Sequence, residues 1–407
     1  MANKRKIIND PVFGFISIPN DLVFDVLQHP YMQRLNRIRQ MGLSFFVYPG
    51  AQHSRFLHSL GSMHLIQEAI SGLRQRGIDI SHQEGIAVSA AILLHDVGHG
   101  PFSHVLENTL ISGVSHEEIS LSMMECINRE MQGRLNLAID IFTDRYSRHF
   151  LHQLISSQLD VDRLDYLCRD SFFCGVSEGV VASARILKML DVADDRLVVE
   201  AKGIYSIEKF LVARRLMYWQ VYLHKTSVAA EQMLIYILRR AKSLAREGVE
   251  LFCSPALRFF LYNDITAESF RNNENVLEQY ALLDDSDILS AVKEWQHSED
   301  MVLSVLSKSF SNRELFKVRQ LDEPLSAEER ELLRSQYVRH FGVSALEAEY
   351  FLDEYSVSKD TYSEKDDSID ILFKDGSIKD ISEASDMLNL TTLTKKVVKH
   401  YLFYYKV

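Results

Sequence analysis

The segment that most constrains this chain runs from Gly85 to His104. Ten uncharged residues, Gly85 to Leu94, lead into His95-Asp96-Val97-Gly98-His99-Gly100-Pro101-Phe102-Ser103-His104. The uncharged run predicts a buried helix, and Gly98, Gly100 and Pro101 stop it. A histidine and a carboxylate at the mouth of a buried helix are costly to desolvate unless paired, and a divalent cation suits both. Hydrogen-bonded histidines at a helix end are the bland alternative. Three histidines and one aspartate within ten residues, punctuated by glycines, favour chemistry.

At 407 residues the chain can bury a substantial core and suggests two or three structural units. A net charge of −11 argues against a broad footprint for nucleic acid or an anionic membrane, while leaving room for a local basic pocket around a small anion. Cys126, Cys168, Cys174 and Cys253 form no Cys-x-x-Cys pair and read as reduced core thiols. No apolar run approaches bilayer length, and the basic start of the chain lacks the apolar segment of a secretion signal, so a cytoplasmic protein is expected.

Alternation through Val12, Phe13, Phe15, Ile16 and Ile18 predicts a short hairpin or extended arm. Val23, Val26, Leu27, Tyr31, Leu35, Ile38 and Met41 then mark one face of a helix that Gly42 can close. A loop through Pro49-Gly50 delivers Arg55 and His58 to the next helix, where they share a face, the arginine suited to an anion and the histidine to a metal. Ser115-His116-Glu117-Glu118 is a capping box, and its helix N-terminus is expected to lower the proton affinity of His116. Asp160, Asp162, Asp165 and Asp170 crowd one short run; helical spacing lets Asp162, Asp165 or Tyr166, and Asp170 share a face, so that one reaches a metal while another lines the pocket beyond.

Leu197 to Tyr205 reads as a hairpin turning at Lys202-Gly203, and Ile207 to Ala245 as a long helical region in which Arg214, Tyr218, Tyr222, His224 and Lys225 recur at helical steps. Further helices are expected near Ser254 to Leu261, Ile288 to His297 and Ala327 to Tyr337. An exposed linker is expected over Ser358 to Asp367, a hairpin around Asp375-Gly376, and a last strand over Val397 to Tyr405.

Together His58, His95, Asp96 and Asp162 supply two nitrogens and two oxygens from three segments, a set that resembles the HD superfamily of metal-dependent phosphohydrolases. Mixed imidazole and carboxylate ligation suits one divalent ion, whether manganese, iron, nickel, zinc or magnesium. The match extends in order through Lys6-Ile7-Ile8-Asn9-Asp10-Pro11, Gln33-Arg34-Leu35, Arg39-Gln40-Met41-Gly42, Pro49-Gly50-Ala51, Arg55-Phe56-Leu57-His58-Ser59-Leu60-Gly61, the His95 to His104 run and Asp160-Val161-Asp162-Arg163-Leu164-Asp165-Tyr166. This series is similar to the deoxynucleoside triphosphate triphosphohydrolases over at least Lys6 to Lys225, with scattered matches to Lys317.

The expected fold is mainly α: an HD-domain helical core with small β-hairpins and a C-terminal α+β region. Its expected parts are an N-terminal arm and first helix (1–50), the phosphohydrolase core (51–250), a helical extension (251–357) and a C-terminal hairpin region (358–407). The resemblance implies hydrolysis of a dNTP to deoxynucleoside and tripolyphosphate by water attack at the α-phosphorus. The alternatives are an HD phosphohydrolase for another nucleotide or phosphoester, and a catalytically silent nucleotide sensor. By motif position His58, His95, Asp96 and Asp162 would hold the metal; Arg55, His99, Arg163 and Arg214 the triphosphate; and His104 and His116, supported by Glu107, the protons. Gln40 and Met41 would border the sugar, Asp170 would bind its 3′-hydroxyl, and Tyr166 and Tyr222 would pack against it, with Tyr218 one turn away in the place of a histidine.

The resemblance also implies a homo-oligomer, dimer or tetramer, with a nucleotide-activated regulatory site whose phosphate-binding positions are Lys6, Lys225, Arg313 and Lys317. Gln28 and Asn36 replace an acid and an arginine associated with reading guanine, so the expected activator is a dNTP and not GTP. No membrane or nucleic-acid partner is expected.

Overall fold

The computed structural model describes residues 6–107, 109–359, 368–386 and 397–407, and helices dominate it. The chain opens on an antiparallel hairpin of β1 (Ile7–Asp10) and β2 (Gly14–Ser17). Asp10 shapes its turn, since Oδ1 accepts the amides of Val12 and Phe13 at 2.9 and 2.8 Å.

α1 (Asp21–Gln28) starts at an Asn20 cap and buries Leu22, Val23, Val26 and Leu27. The continuous helix expected through Met41 does not form. His29 is extended, and Pro30 restarts the chain as a short helix, Pro30–Gln33, followed by a 3₁₀ turn, Arg34–Arg37. Proline lacks the N–H the preceding turn needs and disfavours helical backbone in the residue before it.

The core is built on α2 (Arg55–Gln75), against which both α3 (His82–Leu94) and the later α6 pack. Between them come the short α4 (Ser103–Glu107) and α5 (His116–Glu130); α6 spans Val161–Cys174. The uncharged run is a buried helix as expected: Val88 and Ala90 through Leu94 have no exposed surface. The approach of α6 to α2 requires Gly61, because a Cβ there would lie 1.8 Å from Asp165 Oδ1 and 2.2 Å from Arg169 Nη2.

Two local expectations are corrected. The hairpin pairs Leu190–Ala193 with Arg196–Glu200 and turns at Asp194-Asp195, both with positive φ, whereas Lys202-Gly203 falls in a 3₁₀ turn entering a helix. The long helical region divides into α7 (Ile204–Leu216), a π-helical turn (Met217–Tyr222) and α8 (Lys225–Arg246), with His224 extended and capping α8 through its ring. π turns add a residue per turn and often mark functional sites; this one carries Tyr218 and Tyr222.

The expected helices beyond residue 250 appear as Pro255–Tyr262, Asp285–Trp295 and Ala327–Phe341. Strand Asp370–Leu372 pairs antiparallel with Ile378–Asp380 and parallel with Arg196–Glu200, so this hairpin extends a sheet of the core. Val397–Tyr404 lies between Leu352–Lys359 and Lys317–Leu321 in an antiparallel sheet. The linker expected over Ser358 to Asp367 lies outside the described residues from 360 onward. Among the described residues no helix is long and apolar enough to cross a membrane.

Candidate metal centre

His58 sits near the start of α2, His95 caps the end of α3, and Asp162 lies in the first turn of α6. The Nε2 atoms of the two histidines are 3.4 Å apart, and Asp162 Oδ1 lies 3.0 Å from the first and 3.4 Å from the second. One donor atom from each of the three falls within 4.8 Å of the others. Each imidazole is oriented from behind: His58 Nδ1 donates to Asp165 Oδ2 at 2.7 Å, and His95 Nδ1 to the Ile92 carbonyl at 2.6 Å. Both Nε2 atoms are thereby free to act as ligands, and two imidazole nitrogens converging with a carboxylate fit a divalent ion. Asp96 is at the edge of this cluster. Its oxygens lie 3.4 and 3.8 Å from His95 and His58 Nε2, while it also accepts Arg55 Nη1 at 2.7 Å and faces His99 Nε2 at 3.3 Å.

The field of the site is negative. Burial alone would lower the pKa of His58, yet hydrogen bonds to Asp162 and Asp165 raise it to about 10. Carboxylates that hold a proton so firmly also attract a divalent cation. Next to them His99 and His116 stack with centroids 3.9 Å apart and planes at 17°. Burial, aided by the Arg55 charge, pushes His99 down to about 3. Burial also works against protonated His116, but hydrogen bonds to Glu107 and Glu117, 3.4 and 3.1 Å away, raise it to about 9. The expected lowering by the helix N-terminus is therefore overturned: a terminal dipole is worth about 0.3–1 kcal/mol at such a site, less than two adjacent carboxylates. His104 belongs to α4, but its side chain lies outside the described residues.

Next to Asp162 in sequence, Arg163 donates to the Ser157 carbonyl at 2.8 Å, and Arg214 donates to Gln158 Oε1 at 2.8 Å. Burial lowers the pKa of Arg214 and the neighbouring Arg163 charge lowers it further, and Arg214 Nε is buried without a partner among the described residues. Two neighbouring guanidiniums can together neutralise a polyanion. Tyr222 packs edge-on to both Tyr166 and Tyr218 at 6.1 and 5.6 Å, and its hydroxyl donates to Asp170 Oδ2 at 2.8 Å. Gln40 Oε1 is buried without a partner among the described residues, and Met41 Sδ lies 3.4 Å from Cys174 Sγ. Of the expected regulatory cations, Lys6, Lys225 and Lys317 are exposed. Arg313 donates twice to the Phe46 carbonyl, and His224, beside Lys225, packs on Tyr48 in the same loop.

Sequence reasoning missed several supporting residues. Asp165 was one of several aspartates on a face, with nothing to single it out as the partner of His58. Asp170 Oδ1 is bonded by buried His53 at 2.7 Å. The backbone between His95 and Gly98 is gripped by three side chains far apart in sequence: Arg34 donates to the Val97 carbonyl, Tyr280 to the Gly98 carbonyl, and Ser120 Oγ bonds both Gly98 N and the His95 carbonyl. No local pattern in the sequence announces such contacts.

Residues 55–170 match the HD domain and residues 181–250 the HD associated region. The uncharacterized protein YwfO of Bacillus subtilis is 31% identical over 99% of this chain and 93% of its own length. The deoxynucleoside triphosphate triphosphohydrolase SAMHD1 homolog of Dictyostelium discoideum is 32% identical over 56% of this chain and 48% of its own length. The crystal structure of a phosphohydrolase from Bacteroides thetaiotaomicron superposes with a TM-score of 0.96 at 61% identity, covering 99% of this chain and 100% of that one. With a His-His-Asp cluster that could hold a metal at the HD motif itself, the chain belongs to the HD-domain superfamily of phosphohydrolases, in the branch similar to the deoxynucleoside triphosphate triphosphohydrolases.

Proposed function

We propose that this protein hydrolyses deoxynucleoside triphosphates to deoxynucleoside and tripolyphosphate. The observation that carries the reading is the stacked His99–His116 pair beside the His58–His95–Asp162 cluster, with burial pushing His99 down and the acids Glu107 and Glu117 holding His116 up. Neighbouring groups whose pKa values are pushed apart mark acid and base roles. A divalent ion held by His58, His95, Asp162 and Asp96 would acidify water and offset charge on an α-phosphate oxygen.

The protein's own groups do the rest. Arg55, Arg163 and Arg214 neutralise the triphosphate, and neutral His99 contacts it without adding a buried charge. His116, kept charged by Glu107 and Glu117, donates a proton to the 5′-oxygen as its bond to the α-phosphorus breaks, so that the deoxynucleoside leaves with its hydroxyl, the water oxygen remains on tripolyphosphate, and the proton released by the attacking water restores charged His116. His104 shares this proton handling. Tyr166 and Tyr222 pack against the sugar with Tyr218 beside them, Gln40 and Met41 border it, and Asp170 binds its 3′-hydroxyl.

The test is to incubate purified protein with each dNTP and each rNTP plus manganese and resolve the products by anion exchange. Intact tripolyphosphate from dNTPs is expected. Pyrophosphate or phosphate as the first product would assign a different phosphoester reaction, and no turnover of any nucleotide would favour a silent sensor. The reading includes assembly as a homo-oligomer activated by a dNTP at Lys6, Lys225, Arg313 and Lys317; the exposure of all three lysines supports it.

A further inference from the structure

Behind His58 runs a buried chain of charges that ends in a different part of the molecule. Asp165, bonded to His58 Nδ1, also accepts Arg169: Nε reaches Oδ2 at 2.9 Å and Nη2 reaches Oδ1 at 2.9 Å. The remaining arm of that guanidinium, Nη1, donates to Asp10 Oδ2 at 2.7 Å. The side chains of Asp10, Asp165 and Arg169 are all fully buried. Asp10 belongs to the β1–β2 hairpin, where its other oxygen is held by the amides of Val12 and Phe13. The hairpin therefore presents a carboxylate in a fixed position to the far side of the arginine.

A carboxylate on the outer nitrogen of an imidazole strengthens the inner nitrogen as a metal donor, and such outer partners are worth about 10–100-fold in metal affinity. The strength of that effect depends on how much of the carboxylate's charge is already cancelled. One arginine facing Asp165 alone would leave His58 against a neutral pair. Shared between two carboxylates, the same arginine leaves a net negative charge behind the imidazole, while the bidentate fork keeps Asp165 from rotating away. We infer that Asp10 is a positioning residue of the metal centre: through Arg169 it leaves Asp165 its pull on His58, so that the N-terminal hairpin sets metal affinity from outside the ligand set. This rests on the assignment of His58 as a ligand.

The competing explanation is that the pair merely fastens the hairpin to the core, and removal of either partner from a buried pair is destabilising in any case. Charge and packing separate in two substitutions. Asp10→Asn keeps size and an oxygen for the Val12 and Phe13 amides but removes the charge; Asp10→Glu keeps the charge and disturbs packing. Manganese affinity of the full-length protein is measured by titration with electron paramagnetic detection of free ion, and thermal unfolding is recorded alongside. Asp10→Asn should bind about 10-fold more weakly at unchanged stoichiometry, and Asp10→Glu should bind within about 3-fold of the parent even where its unfolding temperature falls. Should Asp10→Asn fail to fold, Asp10→Ser, which leaves room for water beside Arg169, carries the same expectation. Parent-like affinity in the uncharged variant, or equal weakening in both, would overturn the inference and leave the metal centre standing. Absence of manganese binding in the parent protein would overturn both.

Discussion

His99 and His116 lie face to face at 3.9 Å, one imidazole neutral and the other charged at neutral pH. Because His116 is raised to about 9 from an ordinary 6.5, its charged form and the stability gained from Glu107 and Glu117 are complete below 6.5 and are lost as pH rises through 9. Turnover should accordingly fall on the alkaline side with a midpoint near 9. Glu117→Gln should move that limb down by roughly 1 unit, since one of two anionic partners is removed. A pH–rate profile of both proteins checks this, and an unmoved limb would assign the ionisation to another group.

Metal retention and rate should separate by residue. Asp162→Ala removes a charged donor from the cluster and should abolish both tight metal retention and turnover. His116→Ala should retain the metal and lose about 100-fold or more in rate, as removal of a proton donor does. Elemental analysis after desalting decides it: normal metal content in Asp162→Ala would exclude the proposed ligand set.

Arg214→Ala should weaken triphosphate use without touching the metal. A charged hydrogen bond to phosphate is worth about 1.5–3 kcal/mol, or roughly 10–150-fold in kcat/KM. Manganese affinity should stay at the parent value, and a parallel fall in both would point to a structural role for the guanidinium.

Gly61→Ala should be among the most damaging single-methyl additions in the protein. Its Cβ would meet Asp165 Oδ1 at 1.8 Å inside a fully buried pair, so α2 and α6 must separate or the pair must break. A loss of about 1–3 kcal/mol or more in stability is expected from overpacking alone. Thermal or denaturant unfolding measures it, and a parent-like midpoint would show that the α2–α6 contact is loose.

The regulatory reading is tested by Lys225→Ala with Arg313→Ala. Rate and sedimentation across dNTP concentrations should show weaker activation and weaker assembly in the double variant, because a ligand that favours the assembled state stabilises it by linkage. Identical curves would remove these residues from regulation and leave catalysis unaffected.

The buried α3, the His116 capping box and the C-terminal hairpin were legible because each depends on near neighbours in sequence: uncharged spacing, Ser115 with Glu118, Asp375 with Gly376. Residues such as His58 and Asp162 stood out by motif. What stayed hidden depends on tertiary contact. Nothing near Asp10 tells that it meets Arg169, and Tyr280 gives no local sign that it holds the Gly98 carbonyl. The proton affinity of His116 was misjudged for the same reason, since the helix terminus is visible in sequence while the position of Glu107 against the ring is not. The break at His29 could have been read from Pro30 but was masked by the apolar period that continues past it.

The parallel pairing of Arg196–Glu200 with Asp370–Leu372 has a consequence for how the protein is made. As the chain leaves the ribosome, the candidate ligands His58, His95, Asp96 and Asp162 have all emerged long before residue 370, and until then the 196–200 strand lacks its partner on one edge. Closing that edge needs a contact between segments far apart in sequence, the slowest kind to form. The strands Lys317–Leu321 and Leu352–Lys359 wait in the same way for Val397–Tyr404, so unpaired edges persist during synthesis until the last strand of the chain has emerged.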